Sequence, residues 1–159
     1  MLKFISKLFG GSKSEKDVQS IMPIIQKVGI HFQELQALSN DALRTKTVEF
    51  KERINLHLKV IDDIIAGKNA EAEALPINDI HGRDIIYQEV DKLKKERNKK
   101  IEEALAIIQP EAFAVVKETA RRFKENAELV STATELDRNL SVKKEYVRIE
   151  GDKSIHHTL

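Results

Sequence analysis

One period governs this chain: its apolar residues advance by threes and fours, stretch after stretch. Val18, Ile21, Ile25, Val28, Phe32 and Leu35 step by 3, 4, 3, 4 and 3, and Phe113, Val116, Ala120, Phe123, Ala127 and Val130 repeat the same steps. That spacing lays one apolar stripe along one face of an α-helix. Leu43, Thr47, Phe50, Ile54, Leu58, Ile61 and Ile65 form another stripe, and Ile86, Val90, Leu93, Ile101, Leu105 and Ile108 a fourth, interrupted at Arg97. Six glycines and three prolines in 159 residues leave little to break such helices. The fold class expected is all-α.

The punctuation sets the boundaries. Gly10-Gly11-Ser12 closes a first short segment in which Met1, Phe4, Ile5 and Leu8 share a face and Lys3 and Lys7 lie on another. Nine residues make a marginal helix in water, so this one needs a surface to fold against. That surface is a membrane interface, a partner, or the chain's own domain. The spacing then predicts long helices over about 15–38, 41–66, 79–108 and 110–139. Pro23 either kinks the first of these or marks its true start. Ser39 or Asn40 caps the second, Gly67 stops it, and residues 68–76 read as a surface connection. Leu56, Val60 and Ile64 widen its apolar surface, so that half should be buried on more than one side. Asn78 or Asp79 caps the third, whose charged middle points to a projecting helix or an antiparallel hairpin. Pro110 reads as the first position of the fourth. In the tail, Val147 and Ile149 alternate with polar neighbours and hint at one short strand, with no partner strand in view. The last residues, 154–159, carry no cap or polar tail and read as a truncation.

Chemistry is sparse. There is no cysteine, which excludes a thiolate metal site, an iron–sulfur cluster and a cysteine nucleophile. His31 and Glu34 stand at i, i+3, half of a di-iron bundle motif, but His57 has no acidic residue three positions before it. No metal site is expected, and His156-His157 read as solvated. Neither a G-x-x-x-x-G-K-[ST] phosphate loop nor a G-x-S-x-G elbow occurs. Asp62-Asp63 read as solvated. With Lys+Arg at 27 against Asp+Glu at 26, the net charge of +1 exerts no general pull on nucleic acid. The basic run Lys92, Lys94, Lys95, Arg97, Lys99 and Lys100 lacks interleaved aromatics and is compensated by Glu96, Glu102 and Glu103. It reads as a solvated helix face, and no nucleic-acid partner is expected. No apolar run approaches the roughly 18 residues of a membrane span, and no cleavage site follows the N-terminus, so a cytoplasmic location is the default.

Three stretches, in order, carry a resemblance. Residues 38–53 read L-S-N-D-A-L-R-T-K-T-V-E-F-K-E-R, residues 109–122 read Q-P-E-A-F-A-V-V-K-E-T-A-R-R, and the chain begins M-L-K-F-I-S-K-L-F-G. These are similar to the early segment of the SecA family of bacterial preprotein translocase motors, with its Lys-Thr-x-Glu-Phe and Pro-Glu-Ala-Phe-Ala-Val-Val-Arg-Glu helices. The resemblance implies an ATP-driven motor that moves unfolded preproteins through the SecYEG channel. It implies contact with anionic lipids and the channel through Met1, Leu2, Lys3, Phe4, Ile5, Lys7, Leu8 and Phe9, with a share in dimer contacts.

Two departures shape the expectation. Residues 56–108 separate helices that follow closely in shorter family members, which reads as a branch-specific helical insertion. The family's adenine-contacting segment and its Gly-Glu-Gly-Lys-Thr loop do not occur in these 159 residues. The reading is a 1–12 amphipathic arm, a 13–139 helical unit holding the insertion, and a 140–159 tail leading toward a missing nucleotide-binding domain. The piece itself would hold no cofactor, ATP and magnesium belonging to the parent motor. Its own role would be membrane and channel docking and self-association, peripheral at the inner face of the cell membrane. The competing reading is a stand-alone helical adaptor module.

Overall fold

The computed structural model describes residues 13–157. The eight N-terminal contact residues, Met1 to Phe9, lie outside the described residues. The chain is built from α1 (Lys13–Leu35), α2 (Asn40–Ala74), α3 (Ile80–Glu125), β1 (Glu128–Thr132), α4 (Glu135–Ser141), β2 (Val147–Glu150) and β3 (Lys153–His157). Helix dominates, as the apolar period requires, and a small sheet sits near the C-terminus. Described residues up to Arg44 group with those from Pro110 onward into one compact unit, and Thr45–Gln109 form a second.

In the first unit, the C-terminal half of the α1 stripe finds its core. Leu35, Leu43 and Ala114 are buried, and Val28, Phe32, Leu38 and Val115 pack on them. Lys117 places its ammonium 4.2 Å from the Phe32 ring centroid, a cation–π contact that covers the edge of this cluster. The N-terminal half of the stripe, Val18, Ile21 and Ile25, is exposed. α1 runs through Pro23 without a break. Ser39 caps α2, its Oγ accepting from the Ala42 amide at 3.1 Å.

The second unit is an antiparallel hairpin of the long part of α2 and the first half of α3. Leu58, Ile61, Ala72, Ile86, Val90, Ala104 and Ile108 are buried. Ion pairs cross the hairpin, Asp62 with Arg97 and Lys68 with Glu89, and the His57 ring lies 3.7 Å from the Glu103 carboxylate. Asp79 caps α3 by accepting from the Gly82 amide at 2.9 Å.

Several boundaries differ from the sequence expectation. α2 does not stop at Gly67 but continues to Ala74, because the alanine- and glutamate-rich run after Gly67 is strongly helix-forming and Ala72 is fully buried. The two helices expected on either side of Pro110 are one helix of 46 residues, roughly 69 Å long at 1.5 Å per residue. Pro110 gives that helix no amide donor, and Ile108 and Ala114 on either side of it are buried. Leu56, Val60 and Ile64 are exposed rather than buried, the first two more than 70% exposed. α3 ends at Glu125, so Val130 belongs to a strand, and the single hinted strand is one of three.

The sheet order is β1-β3-β2, both pairs antiparallel, with Val130 opposite Ile155 and Ile149 opposite Ser154. β2 and β3 are joined by Gly151-Asp152. Gly151 sits at φ 61°, the left-handed region that a two-residue hairpin turn demands and that glycine enters without a Cβ penalty.

Candidate functional site

Two polar clusters organise the first unit. The first is centred on Arg122, which is 8% exposed beside a fully buried Glu118. Arg122 donates from Nε to Glu118 Oε1 at 2.7 Å and from Nη1 to Asn40 Oδ1 at 2.7 Å. Its Nη2 reaches the carbonyls of Leu35 and Leu38 at 3.2 and 2.7 Å. These carbonyls belong to the end of α1 and the turn after it, where a helix leaves acceptors without intrahelical donors. Arg121 donates to both oxygens of Glu118, at 2.8 and 2.7 Å. Hydrogen bonds from Arg121, against the cost of burial, hold the Glu118 carboxyl below its ordinary value, with Arg122 adding to the effect.

The second cluster is centred on Asp137, 1% exposed. Thr134 and Asp137 form a reciprocal capping box at the start of α4. Arg44, from the first turns of α2, donates to both carboxylate oxygens at 2.7 and 2.8 Å. His156 Nε2 stands 3.3 Å from Asp137 Oδ1. Burial pushes the Asp137 carboxyl up, but the donors of Arg44 and Thr134 together hold it well below the usual carboxylate range. Ser154 Oγ lies 2.7 Å from the same His156 Nε2. In a nucleophile relay the hydroxyl and the carboxylate engage opposite ring nitrogens. Here both meet one nitrogen and Ser154 is fully buried, so the trio ties strand to helix and does not attack a substrate.

The outward edge of β1 is closed by α2. Asn40 Nδ2 donates to the Val130 carbonyl at 2.8 Å, Asp41 Oδ1 accepts from the Thr132 amide at 2.8 Å, and Arg44 Nη1 donates to the Thr132 carbonyl at 3.1 Å. An unpaired strand edge is a template for pairing with another chain, and side chains here occupy it.

The other residues weighed from the sequence lie apart. His31 meets Glu34 at 3.1 Å on an exposed face. His57 finds its acidic neighbour across the hairpin, Glu103 at 3.7 Å. His156 is not solvated, as its 18% side-chain exposure shows. Asp62, expected to be solvated, is held at 2.5 Å by Arg97 Nε, and that hydrogen bond lowers its carboxyl. Among the described residues, no three His, Asp or Glu gather as metal ligands. Nor is any described helix long and apolar enough to cross a membrane. Sequence reasoning passed over Arg122, Glu118 and Asp137, although the Thr134-x-x-Asp137 spacing is a legible capping signature.

The family model for the SecA DEAD-like domain matches residues 5–132, most of the chain. The chain belongs to the SecA family. It is 46% identical over 151 residues to the protein translocase subunit SecA of Flavobacterium psychrophilum, an alignment that spans 95% of this chain and 13% of the relative. It is 44% identical to that of Phocaeicola vulgatus, over 96% of this chain and 14% of the relative. The corresponding figures for Christiangramia forsetii are 45%, 97% and 14%. The chain therefore spans about a seventh of the length of these SecA relatives and corresponds to an N-terminal piece of the family's chain. α4, β2 and β3 lie beyond the residues that the SecA family model matches. No solved structure matches the chain.

Proposed function

We propose that this chain is the N-terminal part of an ATP-driven preprotein translocase, acting in membrane and channel docking and not in nucleotide chemistry. The observation that carries this reading is the SecA match over residues 5–132, together with relatives named protein translocase subunits. The preprotein and the SecYEG channel are the partners of the whole motor, which works at the inner face of the cell membrane. ATP and magnesium belong to the rest of that motor. These 159 residues hold no Gly-Lys-Thr phosphate loop, so no step of ATP turnover is assigned to them.

Docking is assigned to Met1, Leu2, Lys3, Phe4, Ile5, Lys7, Leu8 and Phe9. What supports this is the sequence pattern: an apolar face with two lysines, the composition that seats a short helix at an anionic lipid interface. Self-association runs through the apolar stripe of α1, where Val18, Ile21 and Ile25 are exposed. The hairpin of Thr45–Gln109, compact by itself, supports reading the region around 56–108 as an inserted helical arm.

Flotation with anionic vesicles tests the docking role. Removal of residues 1–9 should abolish co-flotation of this chain, and the intact chain should lose it as salt rises. Flotation that survives the deletion would place the lipid contact elsewhere. An intact chain that never floats would favour the adaptor reading.

A further inference from the structure

The β1–α4–β2–β3 segment, residues 128–157, is attached to the helices in an unusual way. It has bonding of its own: three paired strands, a capped helix, and the Val147 and Ile155 side chains buried. The apolar cluster of the unit, Leu35, Leu43 and Ala114 with the four side chains packed on it, includes no residue of this segment. Instead, the segment is held by polar side chains from little more than one turn of α2. Asn40 and Arg44 hold the carbonyls of Val130 and Thr132, Asp41 holds the Thr132 amide and hydroxyl, and Arg44 grips Asp137 through two bonds. Asn126, between α3 and β1, donates from Nδ2 to the Arg122 carbonyl at 2.7 Å, which fixes the point where the chain leaves the helix.

We propose that residues 128–157 form a clasp that opens and closes on the first turns of α2 as one piece, latched by Arg44 and Asp137. Opening breaks the side-chain bonds of that short stretch of α2 and leaves both the helical core and the sheet intact. It also uncovers the outward edge of β1, whose Val130 and Thr132 backbone groups then become available to an extended chain. Sub-global opening of this kind occurs where a supersecondary segment has its own bonding and shares little apolar burial with the rest.

Hydrogen exchange read by mass spectrometry on the whole chain tests the clasp. In the unmodified protein, amides of β1 and β3 should exchange faster than those of α3 around Ala114 and Glu118. Arg44→Met removes the latch while keeping an aliphatic stem, and should accelerate exchange across β1 and β3 by roughly tenfold or more with the helices unchanged. Thr132→Val is the milder variant: it removes only the hydroxyl bond to Asp41 and should give a smaller acceleration confined to the same strands. Equal protection of strands and helices in the unmodified protein would overturn the proposal. So would acceleration that spreads to α1 and α3 in the Thr132→Val variant, or Arg44→Met exchange identical to the unmodified chain.

Discussion

Arg122 and Glu118 stand one helical turn apart on α3 and are joined at 2.7 Å with almost no exposure to solvent. The same guanidinium reaches Asn40, Leu35 and Leu38, more than 80 residues away in sequence. One side chain thus fastens the end of α1, the start of α2 and the last turn of α3.

Arg122→Leu should therefore be severely destabilising. Arg121 still faces Glu118, but the carboxylate stays fully buried and the two helix-end carbonyls lose their donor. Breaking a buried, hydrogen-bonded charge in this way costs about 3–5 kcal/mol. Urea unfolding of the Leu variant should show a midpoint far below that of the unmodified chain. Arg122→Lys, which keeps the charge but not the fork, should fall between them.

Acid should loosen the first unit. Asp137 and Glu118 both titrate below their ordinary values in the folded chain. A depressed folded value means that the unfolded chain takes up protons first, so stability is present above the ordinary carboxylate range and is lost as pH falls through it. Melting temperature should fall as pH drops below about 4, and Asp137→Asn should make that fall less steep. A melting temperature independent of pH down to the acid limit would contradict the depressed carboxyls.

Gly67→Ala should stabilise the hairpin. Gly67 lies inside α2, and a Cβ added there meets nothing within 4 Å. Replacing a mid-helix glycine by alanine at an open position contributes about 0.5–1 kcal/mol. Thermal unfolding followed by far-ultraviolet circular dichroism should show the gain. A loss would mean that the helix ends at Gly67 in solution.

Much of this architecture was legible because a helical stripe needs only local spacing. The positions Leu35, Leu43, Leu58, Ile61, Ile86, Val90 and Ile108 were on the stripes and are buried. Gly67 and Pro110 misled because each is a strong local breaker, overridden by helix-forming neighbours and tertiary packing. The sheet was missed because Val130 continues a helical stripe by spacing alone, while β1 gains its pairing from β3, some 25 residues later. The Gly151-Asp152 turn between two short alternating runs was the available signal. The polar clusters were hidden for a different reason. Arg44 and Asp137 lie 93 residues apart, and nothing in a single sequence marks two surface-type residues as partners.

The central claim, that this is the front of a protein-translocating motor, is tested most directly by ATP turnover. Nucleotide binding and hydrolysis would be measured on this chain and on the same chain extended to the length of its SecA relatives, with and without membrane vesicles and an unfolded preprotein. The account predicts no binding by the short chain, turnover by the long one, and stimulation by vesicles and preprotein together. A long chain that neither binds nor hydrolyses ATP would contradict it.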